Sequence, residues 1–177
     1  MKAFKFYSLL TLALLYSCGN EEPKPVPVQD TPEPDTSGFS NVRLNSNVQN
    51  GIGIQGYDPV SYILLGIAQK GNVAITSTFD DITYYFQNGN NKTRFEANPE
   101  RYIPAYGGWC AAGMAFELIN PNWPSGKYRI DPESFKVIKG KTYLFYNFPD
   151  YQALPDWNRD EDRLKAFADE FWANLVK

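Results

Sequence analysis

The stretch KVIKGKTYLFY, residues 136–146, has β-branched and aromatic residues on both sides of Lys139-Gly140-Lys141, which is a strand–turn–strand signature. A second segment, VAITSTFDDITYYF, repeats that pattern around Asp80-Asp81. Between and around these two hairpins the helical signals are short. Asp58-Pro59 reads as an N-cap followed by proline at the first helical position, with Gly66 closing the turn. Asn88 opens a helix over residues 89–97, Pro99 opens the short turn PERY, and Pro104 closes it. Ala111, Ala112, Met114 and Ala115 favour helix from Trp109 to Phe116. Residues 117–127 read as loop, and Asp131-Pro132-Glu133 repeats the Asp-Pro entry of a short turn. Residues 156–177 form a terminal amphipathic helix, with Leu164, Phe167 or Ala168, Phe171 and Leu175 on one face. The expected class is α+β: a small antiparallel sheet of two hairpins, short helices packed on it, and that C-terminal helix.

The chain ahead of this pattern has a different composition. Lys2 and Lys5 precede an apolar run from Phe6 to Tyr16, which is shorter than the roughly 20 residues of a membrane span. The layout is that of a secretory signal over residues 1–17, ending in LYSC. That ending resembles the bacterial lipobox, and by this resemblance Cys18 becomes a lipidated N-terminus. Residues 19–39 carry five Pro and five acidic residues against one Lys, a composition with too little apolar surface to fold. Residues 18–39 are therefore expected to be an extended tether, and residues 40–177 a single domain. This organisation implies a lipid-anchored protein of the bacterial cell envelope, exported and held to a membrane.

Charge and residue usage exclude several functions. Of 17 Lys+Arg and 20 Asp+Glu, the first 39 residues take 3 and 5, leaving 14 against 15 in the domain. So balanced a surface, without a basic stripe, argues against nucleic acid. The chain has no histidine, no G-x-S-x-G and no P-loop, so the common hydrolase and nucleotide-binding arrangements are missing. Asp80-Asp81 sits at a hairpin tip and Glu96/Glu100 spans a helix end, and neither looks like a glycosidase cleft. These readings favour a non-catalytic role.

One thiol remains in the domain, Cys110, in YIPAYGGWCAAGMA (residues 102–115). On a helix beginning at Trp109, Cys110 and Met114 share a face at i and i+4. Thiolate plus thioether suits copper as Cu(I); zinc would need further ligands that a histidine-free chain supplies poorly. A thiol at a helix start after Gly107-Gly108 would also be acidic, which leaves a redox role open. The third reading is a buried thiol packed as a small apolar group. Gly107-Gly108, flanked by Tyr106 and Trp109, is either a ligand-binding backbone pocket or a plain turn needing positive φ. Tyr57 and Asp58 are candidate ligand contacts, although the helix cap accounts for Asp58 without one.

GYDPVSY (56–62), TYYF (83–86), RFEANPERYIPAYGGWC (94–110) and FKVIKGKTYLFYN (135–147), in this order, resemble a YHS-domain protein of the stand-alone exported type. The resemblance covers residues 52–148 and implies an association with metal handling. Metal-linked members carry a cysteine just after the Y-Y-F strand, where this chain has Gln87 and Asn88. The family's histidine is absent as well, so only Cys110 matches the pattern. Three roles follow as expectations: a binding module for a soft metal or small ligand, a structural or envelope-protein interaction domain with a core Cys110, and a thiol redox protein.

Overall fold

The computed structural model describes residues 41–177. The expected signal (1–17), Cys18 and the tether (18–39) lie outside the described residues. The described chain is α+β, with short helices and several small sheets.

Helix α1 (Asn41–Asn45) leads into β1 (Val48–Gln49) and β2 (Ile52–Gly53), and a 3-10 turn over Ile54–Gly56 delivers the chain to α2 (Pro59–Leu65). Helix α2 starts and stops as its sequence dictates. Asp58 accepts the Val60 N–H at 2.8 Å, Pro59 occupies the first turn, and Gly66 ends the helix at φ 66°. Strands β3 (Asn72–Phe79) and β4 (Ile82–Phe86) form the first hairpin. Its turn residues Asp80 and Asp81 both sit at positive φ, the backbone that matches strand twist in a two-residue loop and that aspartate tolerates. Strand β4 alternates with period two, and Tyr84 and Phe86 pack on Phe95 of α3 (Gly89–Ala97) with ring centroids 4.9 and 5.1 Å away. Helix α4 (Pro99–Tyr102) follows directly, and Asn98 caps it.

After α5 (Phe116–Ile119) come β5 (Asp131–Ile138) and β6 (Lys141–Phe145), the second hairpin, turning through Lys139 and Gly140 at positive φ. Strands β7 (Asn147–Phe148) and β8 (Tyr151–Gln152) make a small ribbon, and α6 (Ala153–Arg159) and α7 (Glu161–Leu175) complete the domain. No described helix is long and apolar enough to cross a membrane.

Four expectations are corrected. The hairpins do not share a sheet: β4 takes β2 on its free side, in parallel at Ile52↔Thr83, giving the order β1-β2-β4-β3, while β5–β6 stands apart. The terminal helix begins at Ala153 and breaks at Asp160 (φ −149°, ψ 51°), so its buried face is Leu164 and Ala168. Asp131-Pro132-Glu133 opens β5 instead of a helical turn; the Asp131 carboxylate accepts the Glu133 N–H at 2.9 Å, which bends the strand start before regular pairing resumes at Phe135. The loop expected over 117–127 begins as the helical turn α5.

The core is aromatic and centres on residues 110–116, all of them buried, with α7 packed on the turn Ala112–Ala115. Trp157 of α6 closes over Phe145, 5.5 Å between centroids.

Candidate functional site

Trp109 is extended (φ −76°, ψ 164°), and the helical turn begins only at Ala112. The reason lies in long-range backbone pairing. The Cys110 N–H donates to the Tyr128 carbonyl at 3.0 Å and the Ala111 N–H to the Leu144 carbonyl at 2.8 Å, which bridges Cys110 to β6. These bonds outweigh the helix propensity of the alanines. Cys110 and Met114 therefore do not share a helical face, although both are fully buried. Among the described residues no cluster of three or more metal-ligating His, Cys, Asp or Glu occurs.

The Cys110 sulfur has an occupied environment of its own. It accepts the Gly113 N–H at 3.3 Å and the Tyr146 N–H at 3.2 Å. Burial pushes the thiol up to about 11, against the pull of these backbone donors. At neutral pH the thiolate fraction is then about one in ten thousand. An acidic, reactive cysteine needs an electropositive and accessible seat, and Cys110 has neither. Gly113 makes the seat possible, because a Cβ there would lie 2.9 Å from the Tyr128 ring.

The Gly-Gly turn is also occupied. Tyr106, Gly107 and Gly108 run consecutively at positive φ, and a Cβ on Gly107 would meet the Asn45 carbonyl at 2.7 Å. The chain's own N-terminal segment fills the space. The Asn47 N–H donates to the Gly107 carbonyl at 2.8 Å, the Asn47 amide to the Gly108 carbonyl at 3.1 Å, and the Trp109 indole to the Asn45 carbonyl at 2.8 Å. Gly107 and Gly108 thus present carbonyls to a neighbouring chain segment, not N–H groups to an anion. Tyr106 points the other way: its hydroxyl donates to Asp169 of α7 at 2.8 Å, and burial with that carboxylate pushes it far above the usual tyrosine range.

Tyr57 and Asp58 have partners unconnected with this turn. Asp58 is fully buried, with one oxygen on the Val60 N–H and the other accepting the Gln87 N–H at 2.8 Å and the Asn91 amide at 2.6 Å. It is a helix cap, as expected, that also ties α2 to the end of β4 and to α3. Tyr57 donates to Glu133 at 2.9 Å, and Lys70 lies over its ring. Tyr57 and Asp58 therefore have separate partners, Tyr106 to Trp109 belong to the Gly-Gly turn, and Cys110 and Met114 are part of the core.

One cavity has no counterpart in the sequence expectations. It holds about 480 Å³ and is lined by Gln55, Arg129, Ile130, Asp131, Asn147 and Phe148, among others. Gln55 of its lining and the preceding, buried Ile54 are both left-handed, at φ 52° and 51°. For a β-branched residue such as Ile54 this backbone costs about 1–3 kcal/mol. It is held by the Tyr57 N–H on the Ile54 carbonyl at 3.0 Å and by the Gln55 amide on the Ile130 carbonyl at 3.1 Å.

No family model, curated protein or solved structure matches this chain.

Proposed function

We propose that this chain is a non-catalytic binding module of the YHS type, tethered to a membrane of the bacterial cell envelope by lipid on Cys18, with Cys110 as a structural acceptor. The structural role of Cys110 is carried by its closed seat, whose buried sulfur already receives backbone N–H donors from Gly113 and Tyr146, and the binding role is supported by the polar cavity beside Arg129 and Asp131. A soft metal would have to displace those donors and find further ligands in a core without histidine. A redox thiol would need the ionised form that burial suppresses.

The test is a Cu(I) competition titration under reducing conditions on the full chain in detergent, wild type beside Cys110→Ser. The expected outcome is no binding that depends on Cys110. Tight one-to-one binding lost in the variant would replace this reading with a metal site. Metabolic labelling with a fatty-acid analogue in a bacterial host tests the anchor, with Cys18→Ser as the control expected to lose the label.

A further inference from the structure

Two cavities of similar size lie beside the β7–β8 ribbon and differ in what their charged groups do. In the one of about 440 Å³, Asp156 accepts the Tyr151 hydroxyl at 2.7 Å and pairs with Arg159 at 2.5 Å, so the cation in its lining is neutralised there, while Asp150 also lines it. In the other, of about 480 Å³, the exposed Arg129 and the half-buried Asp131 are oriented by neighbours without a direct ion pair. The Arg129 guanidinium stacks 3.9 Å from the Phe148 ring centroid and donates to the Tyr146 hydroxyl at 3.2 Å. That hydroxyl donates onward to Asp150 at 2.7 Å, which turns its oxygen toward Arg129. Asp131 lines the same cavity, with one oxygen on the Glu133 N–H and the other on the Asn147 amide at 2.8 Å. Arg129 and Asp131 make no ion pair with each other or with any described residue. The Gln55 and Asn147 amides direct their NH₂ groups to Ile130 and Asp131, and among the described residues their oxygens accept no hydrogen bond.

Given the binding module proposed above, we infer that this cavity takes a small zwitterion of the amino-acid type. Its carboxylate meets the Arg129 fork, which is shaped for that planar group. Its ammonium meets Asp131 and the two amide oxygens, all acceptors. Separate clamps on Arg129 and Asp131 hold two opposite charges apart on one cavity wall, and a ligand carrying both charges satisfies both at once. Ile130 and Pro132 are buried beneath this wall, and the Arg129 guanidinium covers one face of the Phe148 ring. The left-handed Ile54–Gln55 backbone brings the Gln55 amide to this wall, and such strain is common at ligand clamps.

The test is calorimetric titration of the full chain in detergent with glycylglycine, acetate and methylammonium, on wild type, Arg129→Gln, Arg129→Lys and Asp131→Asn. Near-UV circular dichroism confirms that each variant is folded. Glycylglycine is expected to bind at least about tenfold more tightly than either single-charge probe. Arg129→Gln should abolish that preference, Arg129→Lys should weaken it by losing the fork, and Asp131→Asn should leave glycylglycine no better than acetate. Equal binding of acetate and glycylglycine, binding indifferent to Arg129→Gln, or no binding to a folded chain would overturn the zwitterion site. The Cu(I) titration reports separately: Cys110-dependent binding overturns the metal-free module itself, whatever the cavity does.

Discussion

The Gly-Gly turn and the Arg129 cavity share one unusual feature and differ in another. Both rest on consecutive left-handed residues, Tyr106 to Gly108 in the first and Ile54 to Gly56 in the second. At the Gly-Gly turn every polar group just described has a partner within the chain, supplied by Asn45, Asn47 and Asp169. At the cavity a guanidinium, a carboxylate and two amide oxygens are oriented by neighbours that leave their outward capacity unused. Backbone strain by itself therefore does not distinguish a structural joint from a binding wall. What differs is the destination of the polar groups: at the turn they are spent inside the chain, and at the cavity Arg129 and Gln55 are exposed and keep capacity that water fills and a ligand can take over.

Substitutions in the closed region should cost stability, and those in the open region should cost binding. The largest effect is expected for Gly107→Val, which adds a β-branched residue at positive φ and a Cβ 2.7 Å from the Asn45 carbonyl. Urea denaturation should show a loss of about 3 kcal/mol or more; a loss under about 1 kcal/mol would mean the N-terminal segment is not seated there.

Next comes the pH dependence of Cys110. Its pKa is raised in the fold from 9.0 to about 11, so the protonated thiol is the form the fold favours. The stabilisation is fully present below pH 9 and is lost as pH rises through 11, about 3 kcal/mol in all. Buried tyrosines such as Tyr62 and Tyr84 shift in the same direction, so the informative quantity is the stability difference between wild type and Cys110→Ala across that range. A difference independent of pH would place the thiol in water.

Smaller again is Asn47→Ala, which removes the side-chain bond to Gly108 and should cost about 1 kcal/mol. Arg129→Gln is expected to change stability least, by less than about 0.5 kcal/mol, since Arg129 is exposed and makes no ion pair among the described residues. A large destabilisation there would make the guanidinium a structural strut and would erase the contrast between the two regions.

The local features of this fold were legible in the sequence because their causes are local. Asp80-Asp81 and Lys139-Gly140 adopt the left-handed pairs that two-residue hairpins require, and Asp58-Pro59 caps α2 through its own next turn. The helical turn expected from Trp109 to Phe116 forms only from Ala112, because alanine propensity is local, whereas the carbonyls of Tyr128 and Leu144 that claim Cys110 and Ala111 arrive from 18 and 33 residues away. The association of β2 with β4 was hidden for the same reason, as two residues of strand carry almost no periodic signal. The cavity was least legible of all: Gln55 meets Ile130 across 75 residues, and Gln55, Arg129 and Asn147 are ordinary surface residues when read along the chain. The Gly-Gly pair correctly signalled positive φ, but its occupant could only be found in three dimensions.

The central claim is that the thiol is sealed, and native-state labelling tests it most directly. The folded full chain is exposed to a thiol-reactive maleimide across a urea series while global unfolding is followed by circular dichroism, in a Cys18→Ser background so that only Cys110 reports. A sealed core requires that labelling follow global unfolding and be negligible without urea. Rapid labelling of the folded chain without denaturant would contradict the account and return Cys110 to the list of reactive or metal-binding groups.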